Sequence, residues 1–189
     1  MKRPEVLPTP EGGAEVWPLS VAAYHVLSET GLIPERTELL HGLVYHKMSK
    51  SPFHSFLVQV LQEMLRAALP PGCLLRTEQP ITCADSEPEP DFAIVRGKIA
   101  DFRRSHPKTA ELVIEVCVTS AEFDRSKLRA YASAGVKECW LVLGPEKKVE
   151  VYRSPSGTEF RQRSEHGSSE QLTSDALPAL DVDLSKLFA

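Results

Sequence analysis

Two carboxylates and one lysine carry the chemistry that this sequence suggests. Asp91 follows Pro90 at the head of the apolar run "FAIV", and Glu115 lies inside the run "LVIEVCV". An ionised carboxylate in such a run is costly to bury unless a cation or a hydrogen-bond donor meets it, or its pKa rises. If the run is a strand, alternation puts Glu111, Val113, Glu115 and Cys117 on one face and Leu112, Ile114, Val116 and Val118 on the other. A buried acid on a central strand, beside a second acid on a neighbouring strand, suits a hard cation. Magnesium takes one or two carboxylates and completes its shell with waters and substrate phosphate. An alternative of equal weight is that Glu115 pairs with Lys127 or Arg129 and only organises the core. Lys127 lies three residues after Asp124 and so near the same face of a helix. Its ammonium could stabilise negative charge on a phosphate. The plainer alternative is a solvated lysine paired with Asp124.

Any such site needs elements to hold it. The apolar run around Glu115 reads as a strand buried on both faces. A helix is expected over 121–134, with Thr119 and Glu122 spaced as a capping box and Gly135 closing the far end. "KECWLVL" reads as the next strand. The segment 111–143 is therefore long enough for a parallel strand–helix–strand crossover. "CLLRTEQPITC", interrupted by Pro80, and "PDFAIVRG" precede it as strands. "KKVEVYRS", "EFRQRSE" at an edge and a short helix "DLSKLF" follow it.

Upstream, Ser20 can cap a short helix that stops at Gly31. One or two short strands are expected over Glu38–Met48, broken at Gly42. The clearest helix runs from Pro52 to Leu69, with Ser51 as its cap and proline in its first turn. Its apolar stripe is Phe53, Phe56, Leu57, Val60, Leu61, Met64, Leu65 and Ala68. This order predicts an α/β fold, a mixed β-sheet flanked by α-helices.

Composition bounds the rest. A chain of 189 residues with 42% hydrophobic content predicts one folded domain over 16–189, preceded by a loose, Pro- and Gly-rich arm over 1–15. No apolar run approaches the roughly 20 residues of a membrane span, and no apolar stretch follows the first basic residues, so neither a membrane protein nor a signal peptide is expected. The net charge of -4 argues against a domain that holds DNA by bulk positive charge. No two of the four cysteines form a C-x-x-C pair, which predicts reduced thiols in a cytoplasmic protein rather than a zinc ribbon. The basic loop "VRGKIADFRRSHPK" could contact phosphates, though a solvated loop is the simpler reading.

The string from "PDFAIV" through "ELVIEVCVTSAEFDRSKLRAYASAGVKECWLVLGPEKKVEVYR", with "ELLHG" and "SPFH" upstream of it, resembles the Uma-two family of endonucleases, within the PD-(D/E)XK restriction-endonuclease-like superfamily. The likeness runs over roughly residues 20–185. It implies that Asp91 and Glu115 are metal-binding acids for Mg²⁺ or Mn²⁺, with the Val116 carbonyl as a further ligand. The superfamily usually carries its lysine two residues after the second acid. Cys117 stands there in this chain, and Lys127 matches a lysine supplied from the next helix. Glu38 matches an acid near the first strand that completes the metal shell. His54 and Glu78 match positions near the same pocket, and Asp124 belongs to the "DRSK" that ends in Lys127. Where the family often has "DGE", this chain has His41, Gly42 and Leu43, so one acid is missing from that turn.

The function so implied is a metal-dependent endonuclease that hydrolyses DNA phosphodiester bonds. A nucleic-acid-binding or interaction module that keeps the fold without turnover is the alternative. Cutting both strands needs two sites, which suggests a homodimer. The strands "CWLVL" and "VEVYR" and the C-terminal helix could supply its contact surface.

Overall fold

The computed structural model describes residues 16–189, so the arm expected over 1–15 lies outside them. Helix α1 (Val21–Glu29) begins where the Ser20 side chain accepts the amide of Ala23. Its Tyr24 is buried and donates its hydroxyl to the Thr37 carbonyl at 3.0 Å, which fixes the helix against the first strand. That strand, β1 (Thr37–Leu40), pairs antiparallel with β2 (Leu43–His46). His41 and Gly42 form the two-residue turn, both with positive φ (52° and 79°). Such turns match the twist of the strands they join. A Cβ on Gly42 would lie 2.3 Å from Pro18 Cβ, so both the backbone conformation and the close approach require glycine.

Helix α2 (Pro52–Ala67) starts at Ser51, whose side chain accepts the His54 amide. It buries Leu57, Val58, Leu61 and Leu65. Phe53 and Phe56, expected in the apolar stripe, are 42% and 46% exposed. The first turn of the helix lies over the turn at Gly144 rather than over the sheet: a Cβ on Gly144 would meet Leu57 at 2.7 Å and Phe53 at 3.1 Å.

The central sheet has six strands in chain order: β3 (Cys73–Thr77), β4 (Phe92–Arg96), β5 (Leu112–Cys117), β6 (Glu138–Leu143), β7 (Lys148–Ser156) and β8 (Glu159–Gly167). Neighbours are antiparallel except β5 and β6, which are parallel and joined by helix α3 (Ala121–Ser133). This is the crossover expected from residues 111–143. Strand β5 is buried at every residue. Its Leu112, Ile114 and Val116 pack with Trp140 and Val142 against α2. Val113 and Cys117 pack with Cys139 and Leu141 against Ala130 and Tyr131 of α3. The sheet is thus covered by helices on both faces, as its alternating side chains require. A small two-stranded sheet, β9 (Gln171–Thr173) with β10 (Asp181–Asp183), and helix α4 (Leu184–Leu187) complete the α2 side.

Three expectations need correction. The cap of α3 is Ser120, not Thr119, and it makes no capping bond, because its hydroxyl donates to the Asp124 carboxylate instead. Strand β6 lies between β5 and β7 and is wholly buried, so it offers no surface to a second copy. Helix α4 buries Leu184 and Leu187 in the core, so its apolar face is equally committed. Among the described residues, no helix is long and apolar enough to cross a membrane.

Candidate active site

Strand register brings the two acids together. Phe92 of β4 pairs with Ile114 of β5, so Asp91 stands one step beyond the ladder, alongside Glu115. Asp91 is held there by the chain itself: its Oδ2 accepts the Val116 amide at 2.8 Å. Its Oδ1 faces His54 Nε2 at 3.3 Å, and His54 is set by the capped first turn of α2. The hairpin turn at His41–Gly42 positions Glu38, whose Oε2 accepts the Glu89 amide at 3.2 Å.

Lys127 completes the group from α3. Its Nζ lies 3.3 Å from Glu38 Oε1, 3.3 Å from Glu115 Oε1 and 3.2 Å from Asp124 Oδ1. All four side chains are buried, and one ammonium serves three carboxylates. Burial alone would favour an uncharged lysine, but Glu115, Glu38 and Asp124 outweigh it and hold the Lys127 pKa well above the usual lysine value. Glu115 moves the other way from an ordinary ion-paired acid. Burial raises its pKa, the Lys127 ammonium offsets only part of that, and Asp124, Asp91 and Glu38 raise it further. The cluster is short of positive charge. Four carboxylates (Glu38, Asp91, Glu115 and Asp124) share one cleft with a single buried ammonium.

Tyr131 is a further neighbour of the cluster that sequence reasoning does not single out. It is fully buried, and its hydroxyl donates to Glu115 Oε1 at 2.6 Å. Burial and the Glu115 carboxylate both raise its pKa, so it remains a donor.

The cluster opens into a cleft of about 420 Å³. Asp91, Glu115, Lys127, Glu38, His54, Glu78 and Asp124 all line it, as does Val116. Glu78, at the end of β3, sits at its mouth in an ion pair with Lys50. Glu89, Lys47, Lys50 and Arg36 line it too, and sequence reasoning did not single them out. Their signal was faint: an acid within "EPEPD" and lysines within "HKMSKSP". The basic loop after β4 does not line the cleft. Its Arg96 pairs with Glu111, and its Phe102 lies under the Arg76 guanidinium.

Among the described residues, no three His, Cys, Asp or Glu side chains stand together as a ready metal cage. The geometry gives a reason. Lys127 occupies the space between Glu38, Glu115 and Asp124, and one oxygen of Asp91 is taken by the Val116 amide.

A family model described as "Putative restriction endonuclease" (Uma2) matches residues 27–185. The chain belongs to the Uma2 family. Among solved structures, it is similar to a protein from Anabaena variabilis described as a "putative nuclease", with a TM-score of 0.71 and 18% sequence identity over 86% of this chain and 96% of that one. This likeness shows the fold: a restriction-endonuclease-like mixed sheet flanked by helices, as the resemblance implied. No curated protein matches the chain. In this Uma2 protein Asp91 immediately precedes β4, Glu115 lies within β5 and Lys127 comes from α3. Cys117, two residues after Glu115, points into the apolar layer beneath α3 and is buried.

Proposed function

We propose that this Uma2 protein is a metal-dependent endonuclease that hydrolyses DNA phosphodiester bonds. The observation that carries the reading is the meeting of Asp91, Glu115 and Lys127 in one open cleft, although they come from three separate elements. The donor set fits a hard divalent cation, Mg²⁺ or Mn²⁺, because it offers carboxylate oxygens with surplus negative charge and no sulfur or imidazole cage. Asp91 and Glu115 would hold that ion, with the Val116 carbonyl beside them and Glu38 completing the shell. When bound, it would polarise the scissile phosphate and lower the pKa of a water.

The chain's own groups do the rest. The Val116 amide and His54 fix the Asp91 carboxylate. Tyr131 fixes Glu115. Lys127 keeps its proton, and its ammonium stabilises the charge that builds on the phosphate oxygens. Glu38 and Asp124 hold that ammonium at the cleft wall. A second copy of the chain would bring the second site needed for both strands. The four free thiols suit a reducing cytoplasm, where such a substrate is met.

One observation favours a binding module without turnover: Lys127 already neutralises the acids in part, and no metal cage is preformed among the described residues. Supercoiled plasmid separates the two readings. With Mn²⁺ or Mg²⁺ the wild type should nick and linearise it, and Asp91→Ala should not. Equal trace cleavage by both proteins would reject the nuclease. Retention of DNA with no cutting under any metal would establish the module.

A further inference from the structure

We propose that the segment joining β2 to α2 is the binding strap for the DNA backbone, with Lys47 and Lys50 as its phosphate contacts. The proposal rests on the nuclease reading for the identity of the substrate. Residues 47–51 run along the cleft, and every one of them lines it. Arg36, exposed at the end of the loop before β1, joins the strap through its carbonyl, which accepts the Lys47 amide at 2.9 Å, so this wall carries three cations against one acid, Glu35. The connector facing the strap carries Glu78 and Glu89, and Asp91 and Glu115 line the same cleft. A cleft that is cationic along one lip and acidic at its floor receives a phosphodiester in one sense only. Flanking phosphates meet the lip, and the reacting phosphate meets the acids and whatever cation they hold.

The strap lysines are masked by ion pairs. Lys47 pairs with Glu89 and Lys50 pairs with Glu78, so two ion pairs tie the strap to the connector between β3 and β4 across the mouth. Both pairs are partly solvent-exposed, with side-chain accessibilities of 25% and 23% in the first and 36% and 44% in the second. The more exposed pair, Lys50–Glu78, contributes little and exchanges readily, and the half-buried Lys47–Glu89 pair still reaches solvent. A phosphate is a competing anion whose binding also releases condensed counterions. The lysines therefore leave Glu89 and Glu78 for the DNA, and the cleft mouth loses its two ties as the backbone enters. A chain of net charge -4 can bind phosphate in this way because the contacts are local.

The test measures binding without cutting. Anisotropy of a labelled 20-base-pair duplex is followed in EDTA across a salt series starting at 20 mM. The Lys47→Ala/Lys50→Ala variant is expected to lower the slope of log K against log salt by about 1.8, two phosphates at ~0.9 each. Arg103→Ala/Arg104→Ala, in the basic loop outside the cleft, should leave the slope unchanged. Glu89→Gln should tighten binding, because it unmasks Lys47. An unchanged slope in the strap variant overturns the proposal. So does an equal loss in the loop variant, a Glu89→Gln protein that binds no tighter, or a wild type that fails to bind at 20 mM salt. None of these outcomes depends on turnover, so the plasmid experiment with Asp91→Ala can fail or succeed independently.

Discussion

Tyr131 and Glu115 are joined at 2.6 Å across the crossover, the hydroxyl on α3 donating to the carboxylate on β5. The bond links the helix that supplies the lysine to the strand that supplies the acid. Removing the hydroxyl while keeping the ring isolates its contribution. Tyr131→Phe should cost about 1 kcal/mol in urea unfolding, the net value of such a bond. It should slow plasmid nicking while leaving duplex binding in EDTA intact. Nicking at the wild-type rate would show that Glu115 needs no help from this donor.

Lys127 is the only described cation within reach of Glu38, Glu115 and Asp124 together. Lys127→Met keeps the length of the side chain and strands three buried carboxylates. Breaking a buried pair in this way typically costs about 3–5 kcal/mol. Millimolar Mn²⁺ should recover part of the lost melting temperature, and should shift this variant more than the wild type, because an ion that binds only the folded state stabilises it. Equal shifts in the two proteins would argue that these acids do not take up the ion.

Glu150 supplies an acid-sensitive contact outside the cleft. Burial pushes its pKa up, but hydrogen bonds from Arg125 and Tyr152 and the nearby Arg163 charge win and hold it at about 2. A carboxyl depressed in the folded state stabilises fully above its unfolded value, near 4.5, and loses that contribution as pH falls through about 2. Unfolding measured from pH 5 to pH 2 should therefore show wild-type stability falling more steeply than that of Glu150→Gln. Parallel curves would contradict the assignment.

Gly42 sets the hairpin that carries Glu38. Alanine there meets both a left-handed φ and the Pro18 side chain. Gly42→Ala should destabilise the protein by about 2 kcal/mol, from backbone strain and overpacking together. Gly157, which also has positive φ, has open space around it, and Gly157→Ala should cost about half as much. Similar losses at the two sites would mean that the Pro18 contact yields freely.

Local sequence carried most of the architecture. The buried run around Glu115, the capped helix from Pro52 and the crossover through residue 143 each announce themselves by periodicity and end signals, because backbone bonding and burial act over short spans. Asp91 and Glu115 were visible as acids out of keeping with apolar neighbours. Tyr131 was not, since a buried tyrosine hydroxyl looks the same in sequence whether or not a carboxylate 16 positions away receives it. Lys47 and Lys50 were equally hidden. Their partners Glu89 and Glu78 lie 42 and 28 positions away, and only the fold brings the two connectors to one cleft. The basic loop lies outside the cleft and is exposed, in keeping with its reading as a solvated loop: charge density along the chain says nothing about which side of the molecule it faces.

The lodging of the Lys127 ammonium among Glu38, Glu115 and Asp124 also bears on how the protein comes into being. Acids crowded this closely would ordinarily make folding wait for a metal ion. Here a tethered ammonium travels with the chain, so the newly made polypeptide can close its core over these acids with no ion present.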